Sequence, residues 1–372
     1  MVSDSNLLDS ELKDRRKEIL TDAYQMSIGE MLNLYEAKEI EIHPEFQRIY
    51  RWSAFQKTKL IESILLGIPI PSFFVSQRED GTWDVIDGVQ RLSTIFEFVG
   101  VFRNENNILL PPLKLQETDY LPSLKDKYWQ NDEGQNSFTQ SQRISFKREK
   151  IDLKIIKKES DRNFKYELFQ RLNSLGSVLS AQELRNSLML MLDTTFYDWV
   201  KDLSKFQEFQ DSILLSENSQ QVAFDMELVL RFFAAKNTDN FRGLKDLNDF
   251  ITNRMKDFIA DKNFDREEEG KIFKNTFEIL NKAIPEGAFK KYDANKNKFV
   301  GRFLISTFEV LSTGVGYNIS KWYPYSDDSL EDIEGIARNL WNNLTFQTNQ
   351  GTGTNVSSRL KELAPLGIKL FS

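Results

Sequence analysis

The pattern of apolar and polar positions first becomes regular after Ser53, where apolar residues recur at helical spacing. Gln56 follows Ser53 by three residues, which is the spacing of a capping box. Gly67 and Pro69 predict the end of this helix. The apolar positions that define it are Leu60, Ile61, Ile64 and Leu65.

The next segment predicts a β-hairpin followed directly by a second helix. Residues 72–76 and 83–86 have strand character and flank a Glu-Asp-Gly turn. Helical spacing then resumes after Gly88, through Leu92 and Ile95. A glycine is therefore predicted at a strand-to-helix junction.

Residues 104–142 are rich in proline, asparagine and polar side chains, which predicts an insertion or surface loop. Residues 145–158 alternate in polarity and predict a strand. This segment is basic, and two interpretations stay open: a solvated strand face or a phosphate-facing patch. Its basic residues include Lys147, Arg148, Lys150, Lys154 and Lys157.

The second half of the chain is predicted to be helical throughout. A helix is expected over 164–172, and Ser180 with Glu183 has the spacing of a further capping box. Beyond it, few runs alternate in polarity. Helical periodicity extends over 226–235, 244–259, 272–283, 299–311 and 333–344.

The amino-acid composition excludes several kinds of functional site. Cysteine is absent and His43 is the only histidine, which excludes thiol nucleophiles, Cys/His zinc sites and HNH-type nucleases with their paired histidines. The 49 basic and 56 acidic residues give a net charge of −7, so any contact with a polyanion must be local. With no apolar signal segment and no membrane-length apolar run, we expect a cytoplasmic protein without membrane contact.

The junction at residues 87–91 is the first candidate for chemistry. Backbone N–H groups and the positive end of a helix dipole favour a phosphate at such a position. Arg91 is suited to a bidentate phosphate contact, and Asp87 to holding Mg²⁺ or orienting a water. The alternative is structural: Asp87 caps the helix, Gly88 supplies a positive φ, and Arg91 is a surface residue.

Three other segments carry candidate side chains. Gln47 and Arg48 precede the first helix, and Arg171 and Asn173 flank a predicted helix end. A Gly/Thr-rich loop at 349–355 is either flexible or phosphate-facing. A carboxylate set with a lysine, suited to a metal-dependent nuclease, is formed by Glu149, Asp152 and Lys154.

Taken in order, these motifs resemble the N-terminal domain family of GmrSD-type restriction endonucleases. The matching segments are Pro44-x-Phe46-Gln47-Arg48-x-x-x-Trp52, the run Leu60 to Pro71, Asp87-Gly88-x-Gln90-Arg91-Leu92, and Phe169-x-Arg171-Leu172-Asn173-x-x-Gly176 continuing to Asn186. The resemblance covers residues from about 20 to 190. It implies an α+β fold, with a ParB/sulfiredoxin-like domain at 31–186 between an arm at 1–30 and an all-helical domain at 187–372.

The resemblance also implies a function: nucleotide binding and nucleoside triphosphate hydrolysis with Mg²⁺, in a DNA restriction or antiphage defence system. It assigns catalysis to Asp87, Gln90 and Arg91, with Asp87 also at the metal. Val89 departs from the family's DGQQR motif where its first glutamine would stand. Nucleotide contacts are assigned to Gln47, Arg48, Gly88, Arg171 and Asn173.

Two alternatives stay beside this hypothesis: a module that senses nucleotide or DNA without turnover, and a metal-dependent DNA nuclease. Since the single histidine excludes an HNH domain in this chain, DNA cleavage in such a system is expected from a separate nuclease subunit. DNA contact is expected through the basic segment at Lys147, Arg148, Lys150, Lys154 and Lys157.

Overall fold

A computed structural model of the chain divides it into two compact units, residues 1–179 and 180–372. Each unit has its own apolar core. The residues whose structure is described are 8, 9, 11, 20–42, 52–104, 107–131, 136–158, 180–215, 223–241, 244–285, 287–351 and 356–372.

The described part of the first unit contains both helices and strands. In chain order they are β1 (Thr21–Ser27), α1 (Ile28–Glu36), β2 (Ile40–Glu41), α2 (Ala54–Leu65), β3 (Phe73–Gln77), β4 (Trp83–Asp87), α3 (Val89–Val99), α4 (Gln140–Arg148) and β5 (Lys150–Ile156). The strands form one sheet in the order β1-β5-β3-β4-β2. Strand β3 runs parallel to β5 and antiparallel to β4. This mixed architecture confirms the predicted α+β class.

The core of this unit combines one face of the sheet with the apolar sides of its helices. Phe73, Val75 and Leu153 are fully buried in the sheet, as are Ile61 of α2 and Phe96 of α3. The predicted capping box at the start of α2 is confirmed, with reciprocal hydrogen bonds of 3.2 and 2.9 Å between Ser53 and Gln56. The predicted hairpin is β3 and β4.

The region expected to be an arm contributes a strand instead. Residues Thr21–Ser27 form β1 and pair with the whole of β5, from Thr21 opposite Ile156 to Ser27 opposite Lys150. Because the partner strand lies more than 120 residues further along the chain, local sequence pattern gives no sign of this pairing.

The strand predicted over residues 145–158 is only partly correct. Residues Gln140–Arg148 form α4, because Thr139 and Gln142 make a capping box and Phe146 is buried. Strand β5 begins after it. The preceding segment, predicted as a surface loop, is anchored by Trp129 and Phe138, whose rings lie 5.5 and 5.1 Å from that of Phe98.

The described part of the second unit is mainly helical. Its elements are α5 (Ala181–Leu192), α6 (Thr194–Ser204), α7 (Gln207–Ile213), α8 (Phe224–Lys236), α9 (Leu247–Ala260), α10 (Arg266–Ala283), β6 (Lys291–Asp293), β7 (Lys298–Val300), α11 (Ile305–Tyr317), α12 (Ile319–Trp322), α13 (Asp327–Asn339), α14 (Leu344–Asn349) and α15 (Val356–Phe371). The capping box of Ser180 and Glu183 begins α5, as predicted. The expectation of an entirely helical half is wrong at β6 and β7, an antiparallel pair joined by a turn-forming Asn-Lys-Asn segment.

A buried ionic network crosses this helical unit. Glu309 of α11 accepts hydrogen bonds from Arg231 Nη1 at 2.7 Å and from Arg359 Nε at 2.8 Å. Glu227 of α8 accepts from Arg231 Nη2 at 2.7 Å and from Arg185 Nη2 at 2.8 Å. Four helices, α5, α8, α11 and α15, are thereby tied together through charges that are almost removed from solvent.

Candidate functional site

The junction between β4 and α3 is built around Gly88. Its φ of +98° lies in the left-handed region, as expected for a glycine that turns a strand directly into a helix. A Cβ at this position would lie 2.4 Å from Cδ1 of Phe73, so a side chain is excluded by contact as well as by backbone conformation. Among the described residues no side chain caps α3, which leaves its first N–H groups directed away from the helix.

Arg91 ties this junction to the start of β3. Its guanidinium donates to the backbone carbonyl oxygens of Pro71 and Ser72, the latter at 3.3 Å. Arg91 Nη2 also donates to Asp87 Oδ2 at 2.8 Å, and the guanidinium lies 4.7 Å from the ring centroid of Phe73. With a side chain only 12% exposed, Arg91 is not a surface residue. It holds Asp87 and both strand ends in place.

Burial shifts the pKa values of Asp87 and Arg91 so that the neutral form of each is favoured. It raises the pKa of the Asp87 carboxyl, against the opposing effects of Arg91 and of the Gly88 N–H. It also lowers the pKa of Arg91, which Asp87 opposes. A carboxyl with a raised pKa is a stronger proton acceptor when ionised, which suits the predicted role of Asp87 in orienting and activating a water.

Asp87→Asn tests this raised pKa through stability. Since the folded carboxyl holds its proton to higher pH than the unfolded one, its contribution to stability is complete below the ordinary value of 3.8 and is lost as the pH rises through the folded pKa. We therefore expect the unfolding free energy of the unsubstituted chain, relative to Asp87→Asn, to fall across that window. Urea denaturation at a series of pH values measures the difference.

Asp80→Asn is the control with the opposite sign. Hydrogen bonds from the side chain and backbone of Thr82 lower the pKa of Asp80. Its contribution is therefore present above the ordinary carboxyl value and lost as the pH falls through the folded pKa. The same pH trend for both variants would refute the raised pKa of Asp87.

The two remaining motif residues lie in the first turn of α3. Val89 is its first residue and Gln90 its second, and both side chains are half-buried. Val89 thus places an apolar side chain at the helix start. The junction brings together four of the eight predicted site residues: Asp87, Gly88, Gln90 and Arg91.

The other four lie outside the described residues, so their assignments stay predictions. They are Gln47, Arg48, Arg171 and Asn173. The helix predicted over 164–172 is outside them as well. The Gly/Thr-rich loop is described only up to residue 351, and α15 begins at 356.

The basic residues proposed for DNA contact do not form a uniform patch. Lys147 has its ammonium 6.0 Å from the ring centroid of Trp129 at the end of α4, and Arg148 beside it is exposed. Lys157 forms an ion pair with Asp22 at 2.8 Å. Lys150 and Lys154 lie on β5, at alternate positions that share one face of the sheet.

The carboxylates of the nuclease alternative belong to different elements. Glu149 follows the last residue of α4, while Asp152 lies within β5 and accepts a hydrogen bond from Gln25 Nε2 at 2.8 Å. Within the described ranges, no group of three histidine, aspartate or glutamate side chains is placed to hold one metal ion. Nor does any described helix have the length and apolar character needed to cross a membrane.

The helical unit contains a cavity. This cavity of about 310 Å³ opens between α9 and α10, with Phe258 and Phe264 stacked in its wall at 4.6 Å. Arg254 is the single cationic side chain among its lining residues, and it is outnumbered by carboxylates. Such a lining disfavours a phosphate group. The acidic residues are Asp257, Asp261, Asp265, Glu268 and Glu269.

The fold and the site thus define a class of protein. Its members have an α+β domain in which a strand turns through a glycine into an uncapped helix. Residues 28–190 match the family model described as GmrSD restriction endonuclease, N-terminal domain. Through this region the chain is similar to the GmrSD N-terminal domain family, which confirms the resemblance inferred from its motifs and associates the region with DNA restriction systems. No curated protein and no solved structure matches the chain.

Proposed function

We propose that the chain binds and hydrolyses a nucleoside triphosphate as part of a DNA restriction system. The observation that carries this proposal is the junction at Gly88, where a left-handed glycine opens an uncapped helix beside a carboxylate and a buried guanidinium. Helix starts of this kind favour phosphate groups through oriented N–H donors and the helix dipole.

Each residue of the junction has a part in this proposal. Gly88 makes the turn from strand to helix without the Cβ that would contact Phe73. Arg91 orients Asp87 through the 2.8 Å ion pair and adds positive charge at the helix start. Asp87 orients the attacking water.

Asp87 is also the residue that would hold Mg²⁺ together with the nucleotide. One carboxylate supplemented by phosphate oxygens is an ordinary ligand set for this ion, and the Asp87 side chain is 29% exposed at the junction. Bound there, Mg²⁺ would offset charge on the phosphate chain.

Phosphate release from ATP, GTP, CTP and UTP with magnesium, with and without DNA, tests this function. We expect release by the unsubstituted chain, and a loss of about 100-fold in Arg91→Ala because Asp87 is no longer held in place. Arg103→Ala, which removes an exposed arginine of the same unit, is the matched control and should release phosphate at the original rate.

The same experiment separates hydrolysis from sensing. Unchanged release by Arg91→Ala would place the reaction away from this junction. Saturable binding without release would favour the sensing module, in which Val89 marks the loss of activity.

A further inference from the structure

The sheet aligns Lys154 with the candidate site. Lys154 of β5 lies opposite Phe74 of β3, and Phe74 lies opposite Asp87 of β4. Residues that pair in this way carry their side chains on the same face of a sheet. Two strand spacings separate the backbones of Lys154 and Asp87, a distance of about 10 Å. An extended lysine side chain reaches a large part of the way across this gap.

The face of β5 that carries Lys154 is polar at Lys150, Asp152 and Lys154 and ends in the buried Ile156. Ile151 and Leu153, on the opposite face, are 2% and 0% exposed and belong to the core. Lys150 and Asp152, on the face of Lys154, are exposed. Lys154 itself is half-buried, as is Phe74 beside it, so its side chain is partly sheltered from solvent.

Three charged neighbours of Lys154 have polar partners. Asp152 accepts a hydrogen bond from Gln25 at 2.8 Å. Lys157 forms an ion pair with Asp22 at 2.8 Å, and Lys158 forms one with Glu79 at 3.5 Å. Within the ranges that the structure describes, no carboxylate forms an ion pair with Lys154. A partly sheltered lysine side chain of this kind favours an anionic ligand.

Arg91 does not supply this contact in the observed geometry. Three of its hydrogen bonds are directed at Pro71, Ser72 and Asp87, and its planar face lies against Phe73. Binding of a triphosphate calls for a cation that faces the phosphate chain. Lys154 is the described lysine that the strand register aligns with Asp87.

We propose that Lys154 is a phosphate-contacting residue of the nucleotide site at the β4–α3 junction. This inference rests on the proposed nucleotide-binding function and assigns to it a residue outside the Asp-Gly-x-Gln-Arg motif. Lys154 contacts the phosphate chain from across Phe74, while the start of α3 supplies N–H donors from the other side. Arg91 is then a positioning residue.

Equilibrium titration with fluorescent ATP, GTP, CTP and UTP analogues in magnesium tests this assignment. For the nucleotide that binds most tightly, we expect Lys154→Ala to raise the Kd about 10- to 100-fold, as for loss of one charged hydrogen bond. Lys154→Arg keeps the charge and should restore most of the affinity. Lys125→Ala removes an exposed lysine of the same unit, and its affinity should stay unchanged.

The possible outcomes distinguish a phosphate contact by Lys154 from the proposed nucleotide binding at the junction. If Lys154→Ala binds nucleotide like the unsubstituted chain while Gly88→Ala does not, Lys154 is not a phosphate contact and the junction remains the site. If the folded, unsubstituted chain binds none of the four nucleotides, both proposals fail. If Lys154→Ala weakens only the binding of a DNA duplex, the lysine belongs to a DNA surface and the assignment is wrong.

Discussion

Glu309→Ala is expected to lower the free energy of unfolding of the helical unit by about 3–5 kcal/mol. The Glu309 side chain is 0% exposed and bonds both Arg231 and Arg359. Without this carboxylate, two guanidinium groups lose their shared counter-charge in the core. A buried charge left without a partner costs far more than a surface ion pair contributes, because no water replaces the lost hydrogen bonds.

Urea denaturation of the full chain, followed by far-UV circular dichroism, measures this loss. Glu334→Ala is the matched control, since Glu334 pairs with Arg338 one turn away on α13 with both side chains 31–37% exposed. It should cost about 0.5 kcal/mol or less. Similar losses for the two variants would show that burial of the network does not determine its contribution.

Gly88→Ala is expected to destabilise the first unit by about 2–5 kcal/mol. Part of this cost is the left-handed backbone, with φ at +98°. The rest comes from the new Cβ, which would lie 2.4 Å from Cδ1 of Phe73, a buried ring with no room to move aside. Hydrogen exchange of peptides from β3 to α3, together with urea denaturation, locates and measures the change.

Gly81→Ala separates these two causes. Gly81 in the β3–β4 turn has a similar φ of +90°, but nothing lies within 4 Å of its would-be Cβ. It should therefore show the backbone cost alone, about 1–2 kcal/mol. If Gly88→Ala were no worse than Gly81→Ala, the close packing of the junction on Phe73 would be disproved.

The features that could be predicted from sequence are those encoded by neighbouring residues. The capping boxes at Ser53 and Ser180 each need two residues three positions apart, and both form. The hairpin and the junction at Gly88 likewise depend on short patterns of strand, turn and helix residues. Four motif residues of the candidate site could therefore be located before any tertiary contact was known.

The features that could not be predicted depend on partners distant in sequence. Strand β1 forms because it pairs with β5, and the residues of β1 are mostly exposed. Arginine and glutamate usually lie on the surface. Arg185 and Glu309 are nevertheless buried, each beside a partner that is dozens of residues away in the sequence. The alignment of Lys154 with Asp87 arises from register across three strands.

The partners of Arg91 are a third case of this kind. Arg91 forms an ion pair of 2.8 Å with Asp87, four residues earlier in the chain. The sequence around Arg91 gives no sign that the carbonyl groups of Pro71 and Ser72 take its other donors. A residue predicted to contact phosphate therefore has a supporting role in the junction, and the phosphate contact is proposed for Lys154.

The proposed site of nucleoside triphosphate binding is the turn from β4 into α3. Calorimetric titration of the unsubstituted chain, Gly88→Ala and Gly81→Ala with ATP, GTP, CTP and UTP in magnesium, at a temperature where all three are folded, tests this binding. We expect saturable binding of at least one nucleotide to the unsubstituted chain and to Gly81→Ala, and its loss in Gly88→Ala. Equal binding by Gly88→Ala, or no binding by the unsubstituted chain, would contradict this proposal.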